Sequence, residues 1–115
     1  MKKVLFLFVS LLLFSCHSYS PDKNSQLIEA VKDGNIDRVR LLIAEGADIN
    51  FQDKNGSTPL HWAAYYGRKE IAKLLLMQGA SPYIKDKNGI TPIDVARINR
   101  QEEILKIFSS KTNSR

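Results

Sequence analysis

Few residues in this chain are of types that do acid–base, nucleophilic or metal chemistry. There are two histidines, His17 and His61, and one cysteine, Cys16. The histidines lie in different parts of the chain, so no paired-histidine zinc site is expected. There is no Gly-x-Ser-x-Gly elbow, no phosphate-cradling glycine loop and no cysteine nucleophile in the part expected to fold. Asp53 and Asp86 each precede a Lys-Asn-Gly turn sequence. Aspartate bonds its own backbone in such turns, so the two are expected to stabilise loops and not to act as paired catalytic carboxylates. No catalytic residue, metal or cofactor is expected. What such residues can do depends on the elements that display them.

The length of 115 residues suggests at most one domain. With 43% apolar and 25% charged residues the composition is that of a globular protein, not a disordered one. The formal charge is +5, and Lys2 and Lys3 lie in a segment expected to be removed, which leaves 15 basic against 12 acidic residues. These are interspersed along the chain and form no basic stripe, so a nucleic-acid partner is not expected.

One pattern dominates the sequence. Asp53-Lys54-Asn55-Gly56 recurs as Asp86-Lys87-Asn88-Gly89, an offset of 33. The same offset pairs Thr58-Pro59 with Thr91-Pro92, Ala63 with Ala96 and Glu70-Ile71 with Glu103-Ile104. Shifted back, it pairs Leu60 with Leu27, Ala63 with Ala30, Gly67 with Gly34, Leu74-Leu75 with Leu41-Leu42 and Gly79-Ala80 with Gly46-Ala47. Asn55-Gly56 and Asn88-Gly89 are tight-turn dipeptides. Thr58 and Thr91 suit helix N-caps, and Pro59 and Pro92 the first helical position, where no N–H is needed. A first helix is predicted over about 59–66 and a second over about 69–78, with Ile71, Leu74 and Leu75 on its buried face. Gly67 permits the left-handed turn between them and Gly79 ends the second. No such unit can bury its apolar face alone, so the units must stack.

A period of 33 residues carrying Thr58-Pro59-Leu60-His61 followed by Ala63 resembles the ankyrin repeat. The resemblance covers roughly residues 20–110. It implies an all-α solenoid of three helix-turn-helix repeats, at about 20–52, 53–85 and 86–110, joined by short β-hairpin loops. It also implies that the outer units are caps. The first has Ser25 where the others have threonine, and polar helices carrying Lys32, Asp33, Asp37, Arg38 and Arg40. The third has Asp94 for histidine, Arg97 for alanine and Arg100 for glycine. An arginine in a left-handed turn costs about 1 kcal/mol, so that loop is expected to be remodelled. The tail 111–115 is polar and expected to fray, as is the chain from Ser109.

What the resemblance implies for function is protein binding. His61 would bond within its own turn, and Trp62 would pack between first helices. Partners of ankyrin proteins usually dock on the hairpin tips and on the concave face of the first helices. Carried over by position, the candidate partner-binding residues are Gln52, Lys54, Asn55, Ser57, Tyr65 and Tyr66 from the second repeat and its flank. Lys85, Lys87, Asn88 and Ile90, with Ile98 and Asn99, come from the third. Tyrosine is enriched in interface hot spots, though one of the pair could pack beneath the next repeat. The chain is expected to act as a single copy.

The N-terminus reads as an export signal. Met1-Lys2-Lys3 is positive, and Val4 to Phe14 is apolar except for Ser10. That run is too short to span a bilayer, which needs about 20 apolar residues. Leu13-Phe14-Ser15-Cys16 resembles the bacterial lipobox, which implies a signal peptide over 1–15, lipidation of Cys16 and a tether over 16–24. Two or more acyl chains would hold such a product at a membrane of the cell envelope. Ordinary cleavage near Ser18, giving a soluble periplasmic protein, is the alternative. An inhibitor, immunity or protective role toward an envelope enzyme or toxin is a narrower version of the same function.

Overall fold

The computed structural model describes residues 21–113, with side chains described as far as Ser110. The expected signal peptide, Cys16 and most of the tether lie outside the described residues. Six helices follow in pairs: α1 Lys23–Asp33 and α2 Ile36–Ala44, α3 Pro59–Tyr66 and α4 Lys69–Met77, α5 Pro92–Ile98 and α6 Glu102–Asn113. There is no strand among the described residues. Within each pair the two helices, joined by a short turn, pack against each other. α1, α3 and α5 stack in one layer, and α2, α4 and α6 stack behind it.

The stack closes because matching positions are buried on one another. Ala30, Ala63 and Ala96 form a column of fully buried small side chains that lets the first helices approach closely. Behind them Leu42, Leu75 and Phe108 form a second column. Leu27, Leu60, Val39 and Ile104 fill the space between layers with no exposed surface. On α4 the buried face is Ile71, Ala72, Leu75 and Leu76, and Leu74 is only half-buried. Truncating Leu60 or Leu75 to alanine would cost about 2–5 kcal/mol.

Local chemistry sets the ends. Thr58 and Thr91 cap α3 and α5, each with a proline in the first turn and a reciprocal bond from the residue three places on. α1 departs from expectation. Its cap is Asp22, whose carboxylate accepts the Ser25 N–H at 2.7 Å, so the helix starts one turn before the position held by threonine in the other units. Ser25 is therefore inside the helix, and the helix takes over residues 23–24 of the expected tether. Asn24 contributes there by accepting the Asp48 N–H at 2.7 Å. At the other end α6 runs on through Ser109 to Asn113, and the last two residues of the expected tail lie outside the described residues.

The loop at Arg100 is not remodelled. Arg100 adopts φ 55°, beside Gly34 at 74° and Gly67 at 68° in the same register. Its loop keeps the bonds of its counterparts: Gln101 N–H donates to Ala96 at 2.8 Å, as Arg68 N–H does to Ala63 at 2.9 Å and Asn35 N–H to Ala30 at 3.0 Å. Burial of Ile104 and Phe108 demands that geometry, and it outweighs a backbone penalty of about 1 kcal/mol.

Candidate functional site

The tips between units form first from the chain itself. In the 53–57 tip, Asp53 N–H donates to Ser57 C=O at 2.9 Å and Gly56 N–H to Asp53 C=O at 2.8 Å. Only the glycine has positive φ, so the tip is a three-residue loop and not the two-residue turn that an Asn-Gly pair suggests. The Asp53 carboxylate accepts the N–H groups of Asn55 and Ser57 at 2.9 and 3.0 Å, and the Trp62 indole N–H at 2.9 Å. Asp86 does the same for Asn88 and Ile90 at 2.8 and 3.0 Å. Both aspartates are turn-builders, as expected.

The two tips are also tied to each other. Lys87 N–H donates to Asn55 C=O at 3.1 Å. The Gln52 amide bridges Gly56 C=O at 3.0 Å and Lys85 C=O at 3.3 Å. A Cβ on Gly56 would sit 2.9 Å from the Lys87 nitrogen, so only glycine fits beneath the second tip.

His61 is buried and both ring nitrogens are used. Nδ1 accepts the Thr58 N–H at 3.0 Å and lies 2.8 Å from its hydroxyl. With Nδ1 an acceptor, Nε2 carries the proton and donates to Ile90 C=O at 2.8 Å. The ring thus locks its own cap and clamps the next tip, leaving no lone pair for a metal or a substrate proton. In the third unit Asp94 fills the cap role, accepting Thr91 N–H at 3.1 Å. That bond and the Thr91 hydroxyl hold its carboxyl below the usual carboxylate range, aided by the charges of Arg97 and Lys85.

The exposed chemistry lies beside these ties. Trp62 is half-buried and joined to both tyrosines. Its ring meets Tyr65 edge-on at 5.9 Å and stacks on Tyr66 at 6.0 Å, and the tyrosines meet edge-on at 5.0 Å. Tyr65 remains 53% exposed and Tyr66 46%, so neither is packed beneath the next repeat. Next along the layer Ile98 is 66% exposed, while Ile90 is only partly so. Lys54, Asn55, Lys85, Lys87 and Asn88 are exposed at the tips, and Ser57 is partly covered. Clefts open on both sides of Trp62, one toward Tyr65 and Asp86, the other toward Lys32 and Lys54. The structure therefore brings the tip residues and the tyrosines onto one continuous surface, although Gln52 is engaged internally.

Two contributors were not among the candidate site residues. Lys32 places its ammonium 4.2 Å from the Trp62 ring centre, an attractive cation–π position. Arg68 lies 5.7 Å from the Tyr66 ring and donates to Lys32 C=O at 2.6 Å. The register itself signals the first, since Lys32 is the first-unit counterpart of Tyr65. Nothing comparable marks Arg68. Among the described residues no group of His, Cys, Asp or Glu is placed to hold a metal ion. No described helix is long and apolar enough to cross a membrane.

Comparison with known proteins agrees with this architecture. The family model described as "Ankyrin repeats (3 copies)" matches residues 6–86 and 27–114. The chain is similar to the Notch-regulated ankyrin repeat-containing protein of Xenopus tropicalis, 40% identical over 58 residues, which is 50% of this chain and 51% of that protein. The human protein of the same name is 38% identical over the same share of each. Calmodulin-binding transcription activator 6 of Arabidopsis thaliana is 54% identical over 33 residues, 29% of this chain and 4% of that protein. The chain spans about half the length of the Notch-regulated relatives it matches. Among the described residues six helices in three pairs, the Thr-Pro caps in register and the family match lead to one conclusion: the chain belongs to the ankyrin-repeat family.

Proposed function

We propose that this chain is a non-catalytic protein-binding module whose contact surface runs from the tips at Lys54 and Lys87 to Tyr65 and Tyr66. The observation that carries this reading is the exposure of two adjacent tyrosines braced by Trp62. Rigid aromatic side chains lose little conformational entropy on contact, which suits them to interface anchors. The groups that would suggest catalysis are engaged in the fold: both His61 nitrogens and the carboxylates of Asp53 and Asp86. A stack this short offers a contact area near the low end for specific interfaces, so moderate affinity follows.

The test is affinity capture with wild type and a Tyr65→Ala, Tyr66→Ala variant whose helicity is checked by circular dichroism. A partner held by wild type and lost by the folded variant supports the module and its surface. A partner held equally by both moves the surface elsewhere.

The second element of the proposal is presentation at a membrane through Cys16, motivated by the lipobox-like Leu13-Phe14-Ser15-Cys16 after an apolar run. Membrane confinement would raise the effective concentration of a partner in the same envelope. Cys16→Ser should abolish acylation and release the chain. Retained acylation or full membrane retention would contradict the anchor. A soluble product cleaved near Ser18 would leave wild type and Cys16→Ser equally free. If the captured partner is an enzyme or toxin whose activity changes on binding, the module is an inhibitor or immunity protein.

A further inference from the structure

The tips separate their charges in an uneven way. Each tip aspartate is turned inward: Asp53 holds two backbone N–H groups and the Trp62 indole, and Asp86 holds two backbone N–H groups. The lysines beside them point outward. Lys54, Lys85 and Lys87 are exposed, and none forms an ion pair among the described residues, whose salt bridges join Lys32 to Glu29, Arg97 to Asp94 and Lys106 to Glu103. Lys85 acts at a distance on Asp94, but that carboxylate already faces Thr91 and Arg97. The bonds from Lys87 N–H to Asn55 and from Gln52 to Lys85 C=O hold the three lysines on one ridge. An opposing acidic chain would meet three exposed ammonium groups that no described carboxylate pairs. Next to the tips, and bordered by Ser57 and Asp86 of them, lies a cleft whose Trp62, Tyr65 and Val95 walls suit an apolar side chain.

We propose that this ridge receives an acidic segment of the partner protein, its carboxylates meeting Lys54, Lys85 and Lys87 and an adjacent apolar side chain entering the cleft at Trp62 and Tyr65. The proposal rests on the binding-module reading and specifies the chemistry of its partner. Such contacts act mainly through association rate and are weakened by salt.

The experiment uses the full-length chain carrying Cys16→Ser, titrated with a short glutamate-rich peptide bearing one leucine, its lysine-rich counterpart, and phosphatidylglycerol vesicles. A Lys54→Glu, Lys85→Glu, Lys87→Glu variant and the milder triple Gln variant are compared, with folding checked by circular dichroism. The acidic peptide should bind at least about tenfold more tightly than the basic one, lose that preference at high salt, and lose it in both variants. Equal binding of the two peptides, no binding of the acidic one, or unchanged acidic binding in the variants overturns the proposal. So does a ridge-dependent gain for vesicles with none for the peptide, which would make the lysines a lipid contact. All three proteins carry the same N-terminal segment, so any anchoring by it cancels. Run beside the tyrosine capture experiment, the two failures separate. Tyrosine-dependent capture with an indifferent peptide sinks only the acidic partner, whereas loss of both sinks the module reading.

Discussion

The second and third units share a turn sequence, a cap and a register, yet they tolerate different residues at equivalent places. Gly56 has the next tip packed on it, and Gly89 has nothing within 4 Å of an added Cβ. A Cβ on Gly67 would meet the Gln101 amide at 3.0 Å, whereas the matching residue is Arg100, exposed and at φ 55°. His61 reaches forward to Ile90, and Asp94 serves its own cap and Arg97 within the same helix. The difference teaches that the repeat consensus is two requirements superposed. Backbone conformation applies at every unit. Close approach and forward hydrogen bonding apply only where another unit packs.

The sharpest way to break that comparison is at the tips. Gly56→Ala should cost about 2–4 kcal/mol, from strain at positive φ plus the clash with Lys87, and Gly89→Ala only about 1–2 kcal/mol. Urea unfolding of both variants checks this, and equal losses would remove the close-approach requirement. Next comes the clamp. His61→Ala strands the buried Thr58 N–H and the Ile90 carbonyl and should cost about 2–3 kcal/mol, against about 1 kcal/mol for Asp94→Ala.

Arg100→Gly should stabilise by about 0.5–1 kcal/mol, because the loop geometry is already that of glycine. Gly67→Arg, the reverse change one unit earlier, should destabilise. A loss of stability on Arg100→Gly would mean that the arginine side chain has a role of its own.

The smallest effect is with acid. The Asp94 carboxyl is held below its ordinary value of 3.8 by the Thr91 N–H and hydroxyl, and Asp22 likewise by Ser25. A depressed folded value means that this stabilisation is complete above pH 3.8 and is lost as the pH falls through the lower folded value. Amide exchange should therefore loosen at the starts of α1 and α5 as the pH falls through that window. Asp94→Asn keeps an acceptor and should flatten the acid loosening of α5.

Much of this was legible in the sequence because the repeat sets register, caps and turns at once. Thr58, Pro59 and Gly67 each state a local preference that the stack also needs, and α3 falls where it was expected. Elsewhere local preference was ambiguous. Asp22 and Ser25 are both good N-caps, and the earlier one won by adding a turn of helix. At Arg100 local preference opposed the packing and lost. In the site, position alone pointed to the tip lysines and the tyrosine pair, but left open whether one tyrosine packs beneath the next repeat; both are exposed. The cation over Trp62 and the bond from its indole to Asp53 join residues distant in sequence or in separate elements, which no single motif records.

The central claim is that Tyr65 and Tyr66 are held out for a partner and not for the fold. Unfolding free energy and partner capture measured on one preparation of the Tyr65→Ala, Tyr66→Ala variant test it most directly. The account predicts a stability loss of no more than about 1–2 kcal/mol, the worth of their exposed ring contacts, together with loss of the partner. A variant that unfolds, or one that stays folded and keeps its partner at wild-type affinity, would contradict it.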